Sequence, residues 1–156
     1  MTAFGALAKG LLSVWQFQLV KPMPHLIVEY SANLEAVLDI PRLVAAVHAA
    51  ALETGVFPIG GIRTRAERRD VYRVADGHAD NGFIHVQARI GSGRAPELRQ
   101  QAAEHIFAVV KAETARAFAT CPLGLTFEIV ELDPVGSLKH NNLHEIVEAR
   151  RKGGVA

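Results

Sequence analysis

Apolar and polar positions alternate most cleanly in FIHVQARI, Phe83 to Ile90. Ile84, Val86, Ala88 and Ile90 share one face there, and Phe83, His85, Gln87 and Arg89 the other. A period of two is the mark of a strand with one side buried. His25 to Tyr30 is a second short, β-rich run, and LTFEIVEL, Leu125 to Leu132, is a third. A fourth, Ile62 to Tyr72, follows the turn Phe57-Pro58-Ile59-Gly60-Gly61.

Between these runs the period becomes helical. Asp39 suits an N-cap, with Pro41 in the first turn, where a proline removes no helical hydrogen bond. Leu43, Val44, Val47 and Ala51 then recur at helical spacing, and Gly55 is a natural stop. After the turn Gly91-Ser92-Gly93, a long helix is predicted from Pro96 to Thr120, with Leu98, Ile106, Phe107, Val110, Thr114 and Phe118 along one side. A short helix is predicted from Asn141 through Arg151.

Strand, helix, strand, and the same again: the order predicts an α/β (α+β) fold built from a tandem β-α-β repeat. It has a four-stranded sheet with two helices on one face. The domain is expected over 23–156, in halves of about 24–80 and 81–147. The opposite face, with Phe83, His85 and Gln87, gets no helix from its own chain, and is expected to pack against other subunits.

Composition narrows the function classes. At 49% apolar and 21% charged residues, the chain is neither disordered nor membrane-like. Seventeen basic against sixteen acidic residues, a net charge of +1 and no long basic run give no electrostatic case for nucleic acid. The lone cysteine, Cys121, cannot form an internal disulfide, and a cytoplasmic protein is expected.

Residues 1–22 stand apart, with two lysines, no acid and an apolar stretch split by Lys9. They fit neither a signal peptide nor a membrane span. They read either as an upstream start called in error or as a short extension with its own packing role. The question matters because of Met23-Pro24. If Met23 is the initiator and is trimmed, Pro24 carries a basic secondary amine; if the chain begins at Met1, the same nitrogen is a non-basic amide.

Three further features carry candidate chemistry. IGSGR, Ile90 to Arg94, joins a strand to a helix start, which suits either an anion or a plain glycine turn. Arg63 and Arg65 alternate along one strand and so share a face; they suit a dianion or an ordinary charged strand. His140 and His144 have the i, i+4 spacing of helical metal ligands, but nothing is spaced to complete a set, and surface histidines are the simpler reading.

Taken together, several blocks resemble the 5-carboxymethyl-2-hydroxymuconate isomerase family of the tautomerase superfamily. They are MPHLIVE at Met23 to Glu29, TGVFPIGGIRTR at Thr54 to Arg65, ADG at Ala75 to Gly77, IGSGR with RQQA at Ile90 to Ala102, LTFEIVEL, and KHNNLH at Lys139 to His144. The resemblance covers nearly all of 23–147 in order, and leaves out 1–22. It implies a homotrimer whose sheets enclose a threefold axis, with an amino-terminal proline as catalytic base and acid. Pro24 matches that proline, and Arg63 and Arg94 match arginines that bind substrate carboxylates.

The implied substrate is a small polycarboxylate of aromatic (homoprotocatechuate) catabolism, with no metal or organic cofactor, no nucleic acid and no membrane partner. Two alternatives stay open: a tautomerase of another unsaturated keto or enol acid, and a non-catalytic trimeric carboxylate-binding protein if Pro24 remains internal. One departure stands out. Ala95 follows Arg94, where relatives often carry a serine that caps the helix.

Overall fold

The computed structural model describes residues 23–153, so the readings of 1–22 lie outside the described residues. Four strands and three helices follow in order: β1 (His25–Ser31), α1 (Ile40–Glu53), β2 (Arg63–Arg69), β3 (Gly82–Gly91), α2 (Pro96–Thr120), β4 (Leu123–Leu132) and α3 (Leu143–Lys152). A 3-10 turn at Ala32–Ala36, which the pattern did not predict, leads from β1 toward α1.

The sheet order is β2-β1-β3-β4. Each half is a parallel pair, β1 with β2 and β3 with β4, and the halves join antiparallel through β1 and β3. This is the expected tandem repeat. The helix of each half crosses the same face, because a right-handed crossover in two halves related by antiparallel pairing brings both helices to one side.

Local chemistry accounts for the helix starts. Asp39 accepts a hydrogen bond from the Arg42 N–H at 3.0 Å, and Pro41 sits in the first turn of α1. At α2 the N-cap Ala95 offers no side-chain bond, and Pro96 at the first position lacks the N–H that would have needed one.

The core lies between the sheet and α1 with α2. Leu26 and Val28 of β1 and Ile84, Val86, Ala88 and Ile90 of β3 meet Leu43, Val47, Ile106 and Val110 of the helices. Burying each large side chain stabilises the fold by about 1.5–3 kcal/mol. The alternation read from FIHVQARI holds at every position of β3. Polar links add orientation: His48 Nδ1 to Thr64 Oγ1 at 2.9 Å ties α1 to β2, and Arg42 to Glu113 at 2.8 Å ties α1 to α2.

Two expected core residues of α2 are exposed. Leu98 is 41% exposed and Phe118 57%, while Ala102 in that row and Ala117 beside it are buried. A row of every fourth residue drifts by roughly 40° per step on a helix of 3.6 residues per turn. Two steps either side of Ile106 and Val110, Leu98 and Phe118 have turned away from the sheet. Alanines there let the helix approach closely.

Candidate active site

The residues singled out from sequence gather at one end of the sheet. Pro24 immediately precedes β1 and is fully buried. Its carbonyl accepts from the Arg63 N–H at 2.9 Å, which fixes the start of β2 beside it. Because β3 runs antiparallel, its last residues, Ile90 and Gly91, arrive at this same end, and the turn after them delivers Arg94.

Both guanidinium groups are held by backbone rather than by acids. Arg63 donates from Nη1 to the Gly61 carbonyl. Arg94 donates from Nη1 to the Gly91 carbonyl at 2.8 Å, and its Cζ lies 5.8 Å from the centre of the Phe57 ring. Among the described residues neither forms an ion pair, so each keeps donors and charge for an incoming anion. Burial draws the Arg94 pKa down from its ordinary value, and Glu131 opposes that shift. Glu131 itself is engaged by Arg99 at 2.6 Å.

Glycine makes the loop geometry possible. Gly93 has φ +99°, a region L side chains rarely adopt, and it turns the chain from β3 toward Arg94. Phe57, which lies under Arg94, belongs to the same turn that ends at Gly61 and leads into Arg63. The sequence showed a turn there but gave no sign of this stacking.

The C-terminal helix reaches the site from outside the repeat. Asn141 Nδ2 donates to the Gly60 carbonyl at 3.0 Å. A Cβ placed on Gly60 would meet His144 Cα at 2.5 Å, with His144 N and Nδ1 both at 2.8 Å. His144 therefore packs on the turn before Arg63, and its Nε2 is buried without a hydrogen-bond partner among the described residues. His140 precedes α3, so the two histidines do not share a helix face. The i, i+4 metal reading fails on that ground.

Gly60→Ala is accordingly expected to destabilise the protein by about 1–3 kcal/mol, the usual range for overpacking. The first atoms met are backbone atoms of His144, so adding His144→Ala is expected not to restore stability. Thermal unfolding of the single and double variants checks this; full recovery in the double variant would count against backbone contact as the cause.

Residues 24–147 match the family described as 5-carboxymethyl-2-hydroxymuconate isomerase. The chain belongs to that family. It is 42% identical over 124 residues to the 5-carboxymethyl-2-hydroxymuconate Delta-isomerase of Escherichia coli, covering 80% of this chain and 98% of the relative. A crystal structure of a 5-carboxymethyl-2-hydroxymuconate isomerase from Deinococcus radiodurans R1 superposes with a TM-score of 0.76 at 36% identity, over 81% of this chain and 96% of that one. A second 5-carboxymethyl-2-hydroxymuconate delta-isomerase structure gives 0.75 at 32%, over 81% and 94%. A member of the cis-3-chloroacrylic acid dehalogenase family shares the fold alone, at 14% identity and a TM-score of 0.55. The chain is thus an isomerase of the 5-carboxymethyl-2-hydroxymuconate isomerase family.

Proposed function

We propose that this isomerase acts on 5-carboxymethyl-2-hydroxymuconate in aromatic (homoprotocatechuate) breakdown in the cytoplasm, with Pro24 as base and acid and Arg63 and Arg94 on the carboxylates. The observation that supports this most directly is local. Pro24 is buried where its carbonyl meets the Arg63 N–H, at the end of the sheet where Arg94 also stands, and among the described residues both arginines are free of acidic partners.

The chemistry asks little else. Moving a double bond through an enol acid needs one proton taken from the hydroxyl and one returned to carbon along the conjugated chain. A single amine that accepts and then donates does both, best with a pKa near the working pH. An α-amino group starts near 7.7–8.0, and a proline amine is intrinsically more basic. Burial and two neighbouring cations both disfavour the protonated form and bring that pKa toward neutrality. The same cations steady the negative charge of the dienolate between the two proton transfers. No electron changes hands, and the proton balance closes on the amine.

The active form is a protein whose first residue is Pro24, assembled as a homotrimer around the sheet face that no described helix covers. Apolar Ile27, Phe83 and Val130 lie on that face between polar neighbours, which suits contact with other chains. A homotrimer would give three times the chain mass in native mass measurement; a monomer would remove the assembly from the proposal.

Substrate choice is tested by comparing the carboxymethylated hydroxymuconate with plain 2-hydroxymuconate. A further charge-assisted contact contributes about 1.5–3 kcal/mol, so kcat/KM is expected to favour the carboxymethylated acid by about 10- to 100-fold. Equal values, or preference for the plain acid, would make the protein a tautomerase of a smaller acid.

A further inference from the structure

On the sheet face that no described helix covers, at the Pro24 end, basic side chains crowd three adjacent strands. His25 of β1 is paired in register with Arg63 of β2 and with Arg89 of β3. Arg65 stands two residues along from Arg63 on the same face, and its Nη1 lies 3.2 Å from His25 Nδ1. A guanidinium can only donate, so His25 Nδ1 accepts, and the imidazole is neutral with its proton on Nε2. Burial first, then the charges of Arg65, Arg63 and Arg89, lower the His25 pKa.

Acids do not balance this cluster. Glu67 is divided between Arg65 at 3.3 Å and Arg69 at 2.7 Å, and Glu29 is held by Arg69. Glu128, across the face, is occupied by Gln87 and His85. Arg89 is exposed and forms no ion pair among the described residues. Pro24 falls on the other side of the strand, in phase with buried Leu26, so of the three residues assigned to the active site only Arg63 borders the cluster.

We infer that His25, Arg65 and Arg89 form a binding site for a small oxyanion, a carboxylate or a phosphate, on the sheet face opposite the Pro24 ring and beside Arg63. Two guanidinium groups, on the strands that flank β1, supply donors from either side of His25, and the His25 Nε2–H adds a third. An anion there offsets the Arg89 charge, which no described acid pairs, and the part of the Arg65 charge left by a Glu67 shared with Arg69. In the proposed trimer, three such clusters would stand about one axis, which strengthens the demand. The site lies within a single chain and does not depend on the proposed activity.

The test uses the full chain, in which Pro24 is acylated, so catalysis plays no part. Citrate or inorganic phosphate is added at constant ionic strength set with chloride, and the His25 ring is followed through its pH titration by NMR. Its resonance is the one lost in His25→Gln. An anion within about 4–6 Å favours the imidazolium, so the midpoint is expected to rise by about one pH unit. The rise should vanish in Arg65→Gln/Arg89→Gln and persist in Arg94→Gln. A stronger effect of citrate assigns the site to carboxylates, and an effect of phosphate alone assigns it to phosphates; either supports the inference. A midpoint that neither anion moves in the wild-type chain overturns it. So does a rise that survives the double variant, or one lost in Arg94→Gln, which would put the anion in the catalytic pocket only.

Discussion

A protein that begins at Pro24 is expected to turn over 5-carboxymethyl-2-hydroxymuconate about 10²- to 10⁴-fold faster than the 156-residue chain, the usual range for a positioned acid–base group. The argument is one of valence. Behind Met23, the Pro24 nitrogen is a tertiary amide whose lone pair is committed to resonance with the Met23 carbonyl. Released, it is a secondary amine beside Arg63, at the sheet end that also carries Arg94. Nothing else about the fold need change, since the carbonyl of Pro24 still accepts from Arg63. Intact mass must confirm the first residue of each preparation. A chain beginning with alanine in place of Pro24 is an informative control. It keeps a primary amine, so it is expected to lose activity less severely than the acylated form. Equal rates with and without residues 1–23 would sink the amine mechanism. The non-catalytic carboxylate-binding reading would then apply only if both rates were zero.

The sequence carried the repeat well because its signals are local. Asp39, Pro41 and Leu43 act within one turn of α1, and Pro96 and Thr120 are the observed ends of α2. Period-two alternation sorted β3 into a buried and an open face without error. What stayed illegible depends on contacts between distant parts of the chain. His144 was read as a surface histidine, yet its backbone lies against Gly60, a contact that neither segment reveals alone. His25 carries no local signal; only the register sets it between Arg63 and Arg89. Arg63 and Arg94 are a different case. Spacing left each with two readings, and the family resemblance selected them. The structure adds that both are tethered by backbone carbonyls and unpaired with any described acid.

That tethering makes the second large effect specific. In protein beginning at Pro24, Arg94→Ala and Arg63→Ala are each expected to lower kcat/KM by about 10²- to 10³-fold, the scale for losing one donor to a developing oxyanion. Lysine at either position keeps the charge but not the planar fork, so partial rescue is expected. The pH profile separates this role from simple damage to the fold. Cations beside the amine disfavour its protonation, so removing one should raise the amine pKa. The base form is required for the first proton transfer, and the acid limb of kcat/KM should therefore move to higher pH in each alanine variant. Lysine variants should leave that limb close to its original place while still binding the substrate less well. The Phe57 ring under Arg94 supplies a finer check, because Phe57→Leu removes the stacking contact without touching charge. It should raise KM and leave the acid limb unmoved. If the limb instead stays fixed in Arg94→Ala and Arg63→Ala, the arginines bind substrate but do not tune the base, and the amine's pKa must be set by burial alone.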